Sequence, residues 1–118
     1  MKSFDVQENK IKFSNGRTIE FDHLINKDNI IIIDFVVVLI LQAPPNSKYN
    51  NNVFALSDTG NFLWQINIDD YLYIKNNNCQ FVEIRIDHSG QLVLFNWCNV
   101  AFIVDPVTGK IIDQFETH

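Results

Sequence analysis

The last third of the chain alternates short apolar runs with turn residues. The runs are FVEIRID, QLVLFNW, VAFIVDP and IIDQFE, and they are separated by HSG, CN and VTGK. Each run has the length of a strand, each break contains Gly, Asn or Pro, and no window keeps a helical period. The pattern predicts a four-stranded antiparallel meander over residues 81–117.

The upstream chain predicts further strands. Residues 11–21 alternate apolar and polar positions around Asn15-Gly16, which is typical of a hairpin. Residues 30–41 are a run rich in Ile and Val that is interrupted by Asp34. This run predicts either one strand buried on both faces or two strands hinged near Asp34. We favour the hinge, because an unpaired charge inside a buried sheet is costly.

A second upstream hairpin is predicted where residues 52–57 and 62–66 flank Asp58-Thr59-Gly60-Asn61. Pro44 and Pro45 end the preceding strand because neither donates to a ladder. A chain of 118 residues is long enough for one core. We therefore expect a single all-β domain, 1–118, with a first sheet over about 11–66, an irregular excursion over 67–80 and a second sheet over 81–117.

One motif occurs twice, as Ala55…Asp58-Thr59-Gly60…Trp64 and as Ala101…Asp105…Thr108-Gly109. Its spacing resembles the PQQ-type β-propeller repeat, in which Ala-x-Asp-x-x-Thr-Gly-x-x-x-Trp joins the outer strands of a blade. Asp105, Thr108 and Gly109 match that pattern, and Asp113 stands at the Trp position. In the earlier copy Trp64 matches, although its turn is shorter.

A closed propeller needs at least four blades, at roughly 40 residues each. The resemblance therefore implies two blade-like antiparallel sheets, packed as a sandwich or a half-propeller. It implies no quinone cofactor, because this chain is too short to build a central channel.

The composition and charge of the chain restrict the classes of partner that it can bind. Hydrophobic residues make up 47% of the chain, charged residues 19%, and the net charge is −5. Nucleic acid and anionic membrane both require a basic surface, so neither is expected as a partner. The N-terminus lacks an apolar signal segment, and the longest apolar run is too short to span a bilayer. These features favour the cytoplasm, where Cys79 and Cys98 are expected to be free, largely buried thiols.

The sequence offers no catalytic set. Asp58-Thr59-Gly60 follows an apolar strand as in aspartic proteases, where two such loops face each other. The supporting strand of that family is not found, so a hydrolase that uses Asp58 is kept only as a further alternative. The histidines, His23, His88 and His118, are isolated, and Asp69-Asp70 lacks the ligand spacing of a calcium loop. We expect no metal and no cofactor.

The two faces of the predicted meander depend on its central turn. A two-residue turn at Cys98-Asn99 would place Phe95 opposite Phe102 and Val93 opposite Val104. It would gather on one face Val93, Phe95, Trp97, Val100, Phe102, Val104, Ile111 and Phe115, with Glu83, Arg85 and Asp113 at the margins. The opposite face would carry Val82, Ile84, Ile86, Leu92, Leu94, Ala101, Ile103 and Ile112. Both faces are then apolar, so one packs on the first sheet and the other is covered by the N-terminal segment or by another protein.

Small size, acidity and the lack of a catalytic set resemble the small immunity proteins of bacteria. The resemblance implies a non-enzymatic inhibitor that covers the cleft of a basic toxin, often a nuclease, through aromatic anchors and carboxylates. The candidate partner-binding residues are Asp69, Asp70, Tyr71, Tyr73, Glu83, Arg85, Phe95, Trp97 and Asp113. The alternative function is a structural or oligomerising module that forms a homodimer through the same face.

Overall fold

The computed structural model describes residues 4–45, 47–69 and 78–117, which form three antiparallel sheets and no helix. The N-terminal sheet contains β1 (Phe4–Gln7), β2 (Lys10–Phe13) and β3 (Thr18–Glu20). The middle sheet contains β4 (Leu24–Ile25), β5 (Ile31–Ile33), β6 (Val36–Gln42), β7 (Val53–Ser57) and β8 (Phe62–Gln65). The C-terminal sheet contains β9 (Phe81–Ile86), β10 (Leu92–Asn96), β11 (Val100–Val104) and β12 (Ile111–Glu116), in the order β12-β11-β10-β9.

Strand β6 lies at the centre of the molecule and is buried on both faces. Because side chains alternate along a strand, Val36, Val38 and Ile40 face the C-terminal sheet, where they pack in one core with Phe81, Leu94 and Phe102 among others. Val37, Leu39 and Leu41 face the N-terminal sheet and pack with Ile11 and Phe13. The middle sheet is therefore the inner layer of a three-layered, sandwich-like arrangement.

The predicted all-β fold and C-terminal meander are confirmed, and so is the hinge near Asp34. Asp34 and Phe35 both have positive φ, 49° and 65°, and form the two-residue turn between β5 and β6. The structure adds a third sheet, because the hairpin at residues 10–20 pairs with β1 rather than with the middle sheet.

The predicted register of the meander is wrong by one residue. Phe95 lies opposite Ala101, and Leu94 lies opposite Phe102. The reason is that the connection contains three residues, Trp97 to Asn99, and Asn99 adopts φ 62° in its last position. The slip exchanges the faces of β11, so Val100, Phe102 and Val104 point into the core, whereas Ala101 and Ile103 point outward.

The prediction of free thiols is also wrong. Cys79 and Cys98 form a disulfide with Cα atoms 5.3 Å apart and a sequence separation of 19. The bond joins the residues before β9 to the β10–β11 turn, so it closes a loop that contains the β9–β10 hairpin. A loop of that length stabilises a fold by about 3 kcal/mol through the entropy of the unfolded chain.

Two aromatic rings cover turn glycines of neighbouring sheets. Trp64 of β8 donates Nε1–H to the carbonyl of Pro106 at 2.8 Å, and a Cβ added to Gly109 would lie 2.5 Å from its ring. Phe13 of β2 similarly covers Gly60, where an added Cβ would lie 2.9 Å from the ring. Both glycines belong to the repeated Thr-Gly motif, so each copy of that motif provides a contact between two layers.

Buried asparagines connect the layers through their amides. The Asn52 side chain is fully buried, donates to the carbonyls of Leu41 and Phe81, and accepts from the Phe81 N–H at 2.9 Å. Asn50 accepts from the Cys79 N–H at 2.8 Å. The segment expected to be an irregular excursion is described at 67–69 and 78–80, where it has no strand, and residues 70–77 lie outside the description.

Candidate functional site

The outer face of the C-terminal sheet carries two cross-strand rows of side chains. One row runs Glu83, Phe95, Ala101, Phe115 across the four strands, and the next runs Arg85, Val93, Ile103, Asp113. Both rows point away from the core, because the alternate residues Ile84, Leu94 and Phe102 point into it. We call these eight residues the outer C-terminal face.

This face is apolar in the middle and charged at both edges. Val93 and Ala101, on the two central strands, are buried, and Phe95 and Ile103 are half-buried beside them. Phe115 on the edge strand β12 is 45% exposed, and the neighbouring Asp113 is exposed. Aromatic side chains with charged neighbours are the composition that protein-binding surfaces favour.

Arg85 is held over the aromatic part of the face. Its Nε contacts the carboxylate of Glu83, and its guanidinium carbon lies 5.3 Å from the centre of the Phe95 ring. The geometry is that of a cation–π contact supported by an ion pair. Both partners are solvent-accessible, so the contact orients Arg85 more than it stabilises the fold.

The opposite surface of the molecule has a different character. The outward rows of the N-terminal sheet are Asp5, Lys12, Thr18 and Gln7, Lys10, Glu20. All six are exposed and polar, and their inward neighbours pack on the middle sheet. Of the two outer faces, only the C-terminal one departs from the apolar-in, polar-out pattern of a solvated antiparallel sheet.

The structure brings together four of the nine predicted partner-binding residues. Glu83, Arg85, Phe95 and Asp113 share the outer C-terminal face. Trp97 lies instead in the β10–β11 turn and is 73% exposed. Asp69 is exposed after β8, where its N–H bonds to the side chain of Asn67. Asp70, Tyr71 and Tyr73 lie outside the described residues.

Phe115 is the one aromatic residue of this face that the candidate residues omitted, together with the aliphatic Val93, Ala101 and Ile103. Its position follows from the register Ala101↔Phe115, which also aligns it with Phe95 across β11. The expected placement of Phe115 on one face with Phe95 is therefore correct. The register of β11 decides which other residues accompany the two rings.

Asp58 lies in the tight turn between β7 and β8. Its N–H bonds to the carbonyl of Phe35, and the Ser57 hydroxyl bonds to Thr59 and to the N–H of Asn61. Within the described ranges, no three His, Cys, Asp or Glu side chains are grouped as metal ligands would be.

The chain matches the model of a protein family. A model described as "Domain of unknown function (DUF7957)" matches residues 1–115. The chain belongs to the DUF7957 family. No curated protein is significantly similar to this DUF7957 sequence. The described part of the DUF7957 chain has no helix with the length and apolarity needed to cross a membrane.

Proposed function

We propose that the protein is a non-enzymatic binding module whose outer C-terminal face docks on a basic protein. The contrast between the two outer faces carries the proposal. The N-terminal face is polar throughout, whereas the C-terminal face presents Phe95 and Phe115 beside the charged residues Glu83, Arg85 and Asp113. An aromatic centre supplies contact area, and charges at its rim steer and orient the partner.

The net charge of the chain indicates that its partner carries a positive charge. The chain has 14 acidic and 9 basic residues, and its net charge is −5. On the face itself Arg85 is paired with Glu83, which leaves Asp113 as the carboxylate with no cation beside it in either row. Long-range attraction therefore favours a basic partner and opposes nucleic acid.

The specific form of this proposal is a bacterial immunity protein that neutralises a toxin, such as a basic nuclease. Blocking a catalytic cleft needs a rigid surface and no chemistry by the inhibitor. The β9–β10–β11 unit meets that need, since the disulfide ties its start to its second turn.

The test is co-expression with the basic protein encoded by a neighbouring gene, followed by co-purification and calorimetry. The double variant Asp113→Lys/Phe115→Ala should weaken binding at least about thirtyfold, which corresponds to a hot-spot loss of about 2 kcal/mol. The matched control is Asp5→Lys on the polar N-terminal face, which should change affinity by less than about threefold. Equal effects of the two changes would contradict docking on the C-terminal face.

A homodimer is the second candidate, since an apolar sheet face can also cover itself through a two-fold axis. Light scattering of the purified chain distinguishes the two: a concentration-dependent dimer that Asp113→Lys/Phe115→Ala converts to a monomer would support self-association. A monomer at high concentration would exclude it and leave the face to another protein.

The cellular compartment is a separate proposal. The sequence favours the cytoplasm, whereas disulfides persist mainly in oxidising compartments. Rapid alkylation of thiols in fresh cells distinguishes a cytoplasmic location from an oxidising compartment. Labelling of Cys79 and Cys98 would show free thiols and support the cytoplasmic location. Unlabelled cysteines that react only after reduction point to an exported protein.

A further inference from the structure

The β2–β3 turn contains the pair Asn15-Gly16, and Asn-Gly occurs once in the sequence. The Phe13 N–H donates to the carbonyl of Arg17 at 2.8 Å, and the Gly16 N–H donates to the carbonyl of Phe13 at 2.9 Å. Residues 14–17 between the two strands are all exposed. Water therefore reaches both the side-chain amide of Asn15 and the peptide bond that follows it.

The side chain of Asn15 is folded over that peptide bond. Its Oδ1 accepts from the Arg17 N–H at 2.9 Å. A bond from an asparagine side chain to the N–H two residues later spans the peptide unit between them, so it holds the side-chain carbonyl carbon beside the Gly16 nitrogen. Gly16 adds no Cβ that would obstruct the approach of these two atoms. The folded turn therefore brings together the atoms that would close a five-membered succinimide ring.

Three further asparagines have the same side-chain bond but a bulkier residue after them. Asn26, Asn67 and Asn96 each accept from the N–H two residues later, at 3.1, 3.0 and 3.0 Å. A side chain on the residue that supplies the attacking nitrogen obstructs ring closure. The obstructing residues are Lys27, Ile68 and Trp97. The chain thus contains its own controls for the effect of Gly16.

We propose that Asn15 is a site of spontaneous deamidation through a succinimide. The Gly16 nitrogen loses its proton to hydroxide and attacks the side-chain carbonyl carbon of Asn15. A carbon–nitrogen bond forms there, the bond to Nδ2 breaks, and Nδ2 takes up a proton and leaves as ammonia. Water then opens the ring at either carbonyl, which gives aspartate or isoaspartate. The reaction consumes only water and needs no enzyme.

The hydrogen bond between the Gly16 N–H and the Phe13 carbonyl sets the pace of the reaction. The N–H must leave this carbonyl before hydroxide can remove its proton. Exposed turns open locally at low cost in free energy, because few buried contacts are lost. We therefore expect deamidation in the folded chain, but more slowly than in a peptide of residues 12–18, which has no fixed turn.

The Asn15 side chain is also a contact between two layers. Its Nδ2 donates to the carbonyl of Thr59 in the β7–β8 turn at 3.0 Å, and Nη1 of Arg17 donates to Oδ1 of Asn61 at 2.9 Å. Either product replaces the Nδ2 amide group by a carboxylate oxygen or moves it into the backbone, so the donor to Thr59 is lost. Deamidation therefore weakens the attachment of the N-terminal hairpin to the middle sheet.

The modification is tested by incubating the full-length chain at neutral and mildly alkaline pH. Peptide mass spectrometry locates the conversion of amide to acid, and labelling with protein isoaspartyl methyltransferase detects isoaspartate. We expect both signals at Asn15, at a rate that rises with pH, while Asn26, Asn67 and Asn96 stay intact. Asn15→Gln should abolish the signals, because its longer side chain closes the ring poorly.

The effect on the layer contact is tested with Asn15→Asp, which reproduces one product. Hydrogen exchange of the Phe13 N–H reports opening of the turn. It should become about threefold to tenfold faster, the range expected for the loss of one hydrogen bond. The matched control is Asn26→Asp, which changes an asparagine with the same local bond in another turn and should leave this rate unchanged. Thermal unfolding of both variants checks that the fold is retained.

Three outcomes would overturn the proposal. The first is an intact Asn15 after an incubation that fully deamidates the peptide of residues 12–18. The second is equal deamidation at Asn26, which would show that Gly16 has no part in the reaction. The third is unchanged exchange of the Phe13 N–H in Asn15→Asp, which would remove the effect on the layers. None of these results depends on a partner of the outer C-terminal face, because no partner is present in the experiments.

Discussion

Phe35 occupies a turn position that its side chain does not favour. Its φ is 65°, and its side chain is 79% exposed, the largest exposure among the big apolar residues of the described chain. A two-residue hairpin turn of this kind favours Asn-Gly, because both positions need positive φ. The left-handed region costs a residue with a Cβ about 1–2 kcal/mol. Phe35 therefore has backbone strain without the compensation of packing.

Replacing this ring by glycine should stabilise the protein. Phe35→Gly removes the strain and loses little burial, while the greater freedom of glycine in the unfolded chain offsets part of the gain. We expect the free energy of unfolding in urea to rise by about 0.5–1 kcal/mol. The matched control is Phe62→Gly, which has ordinary φ in strand β8 and should lower that free energy by about 1 kcal/mol. A loss of similar size in both variants would show that the Phe35 turn is not strained.

The contact between Gly109 and Trp64 joins two secondary-structure elements of different sheets, the β11–β12 turn and strand β8. Gly109 and Gly90 have similar φ, 78° and 82°, so alanine strains both backbones alike. Only Gly109 lies against a ring, because an added Cβ meets Trp64 there, whereas nothing lies within 4 Å at Gly90. The pair therefore separates backbone strain from steric contact.

Gly90→Ala should cost about 1–2 kcal/mol, from strain alone. Gly109→Ala should cost about 3 kcal/mol or more, because displacement of a packed ring is added to that strain. Urea unfolding measures both, and near-ultraviolet circular dichroism should change for Gly109→Ala through the shifted Trp64. Equal costs in the two variants would mean that the Trp64 contact contributes nothing to stability.

The strands of this fold could be predicted from sequence, whereas the register of one hairpin could not. Apolar runs and turn residues locate the meander and the hinge at Asp34, because both signals are local. The sequence predicts two residues for the three-residue turn at Trp97 to Asn99, because Asn99 gives a weaker signal for positive φ than glycine does. Gly16, Gly60 and Gly90 each end a comparable three-residue turn, so the other hairpins of the chain indicate the correct length.

The sequence also predicts part of the outer C-terminal face, because the alternation of side chains along a strand is a local signal. Glu83, Arg85, Phe95 and Asp113 come together because they share strand parity, which the sequence displays. The two-residue turn predicted at Cys98-Asn99 would extend β10 to Trp97 and so place this residue with them. In the structure Trp97 belongs to the turn, and its N–H bonds to the carbonyl of Gln80, which is distant in sequence. The disulfide was missed because two cysteines 19 residues apart have no diagnostic spacing.

At the scale of the whole molecule, the three layers have distinct environments. The middle sheet is covered on both faces, so its strand β6 tolerates no polar position between Val36 and Leu41. The outer sheets each bury one face, and only their exposed faces are available to partners. The two outer sheets pack on opposite faces of the middle sheet, so the polar N-terminal face and the aromatic C-terminal face point away from each other. A partner on the C-terminal face therefore leaves the N-terminal sheet accessible.

The disulfide has a mechanical consequence. When the chain is pulled from its two ends, force passes through the sulfur bridge and bypasses the residues between Cys79 and Cys98. A fully extended chain spans about 3.5 Å per residue, so the residues inside the disulfide loop account for roughly 60 Å of contour length that the oxidised chain does not release on extension. Single-molecule extension should therefore lengthen by that amount after reduction, and Cys79→Ala/Cys98→Ala should show the full length without a reductant. An unchanged extension on reduction would mean that the bridge is not formed in the folded chain.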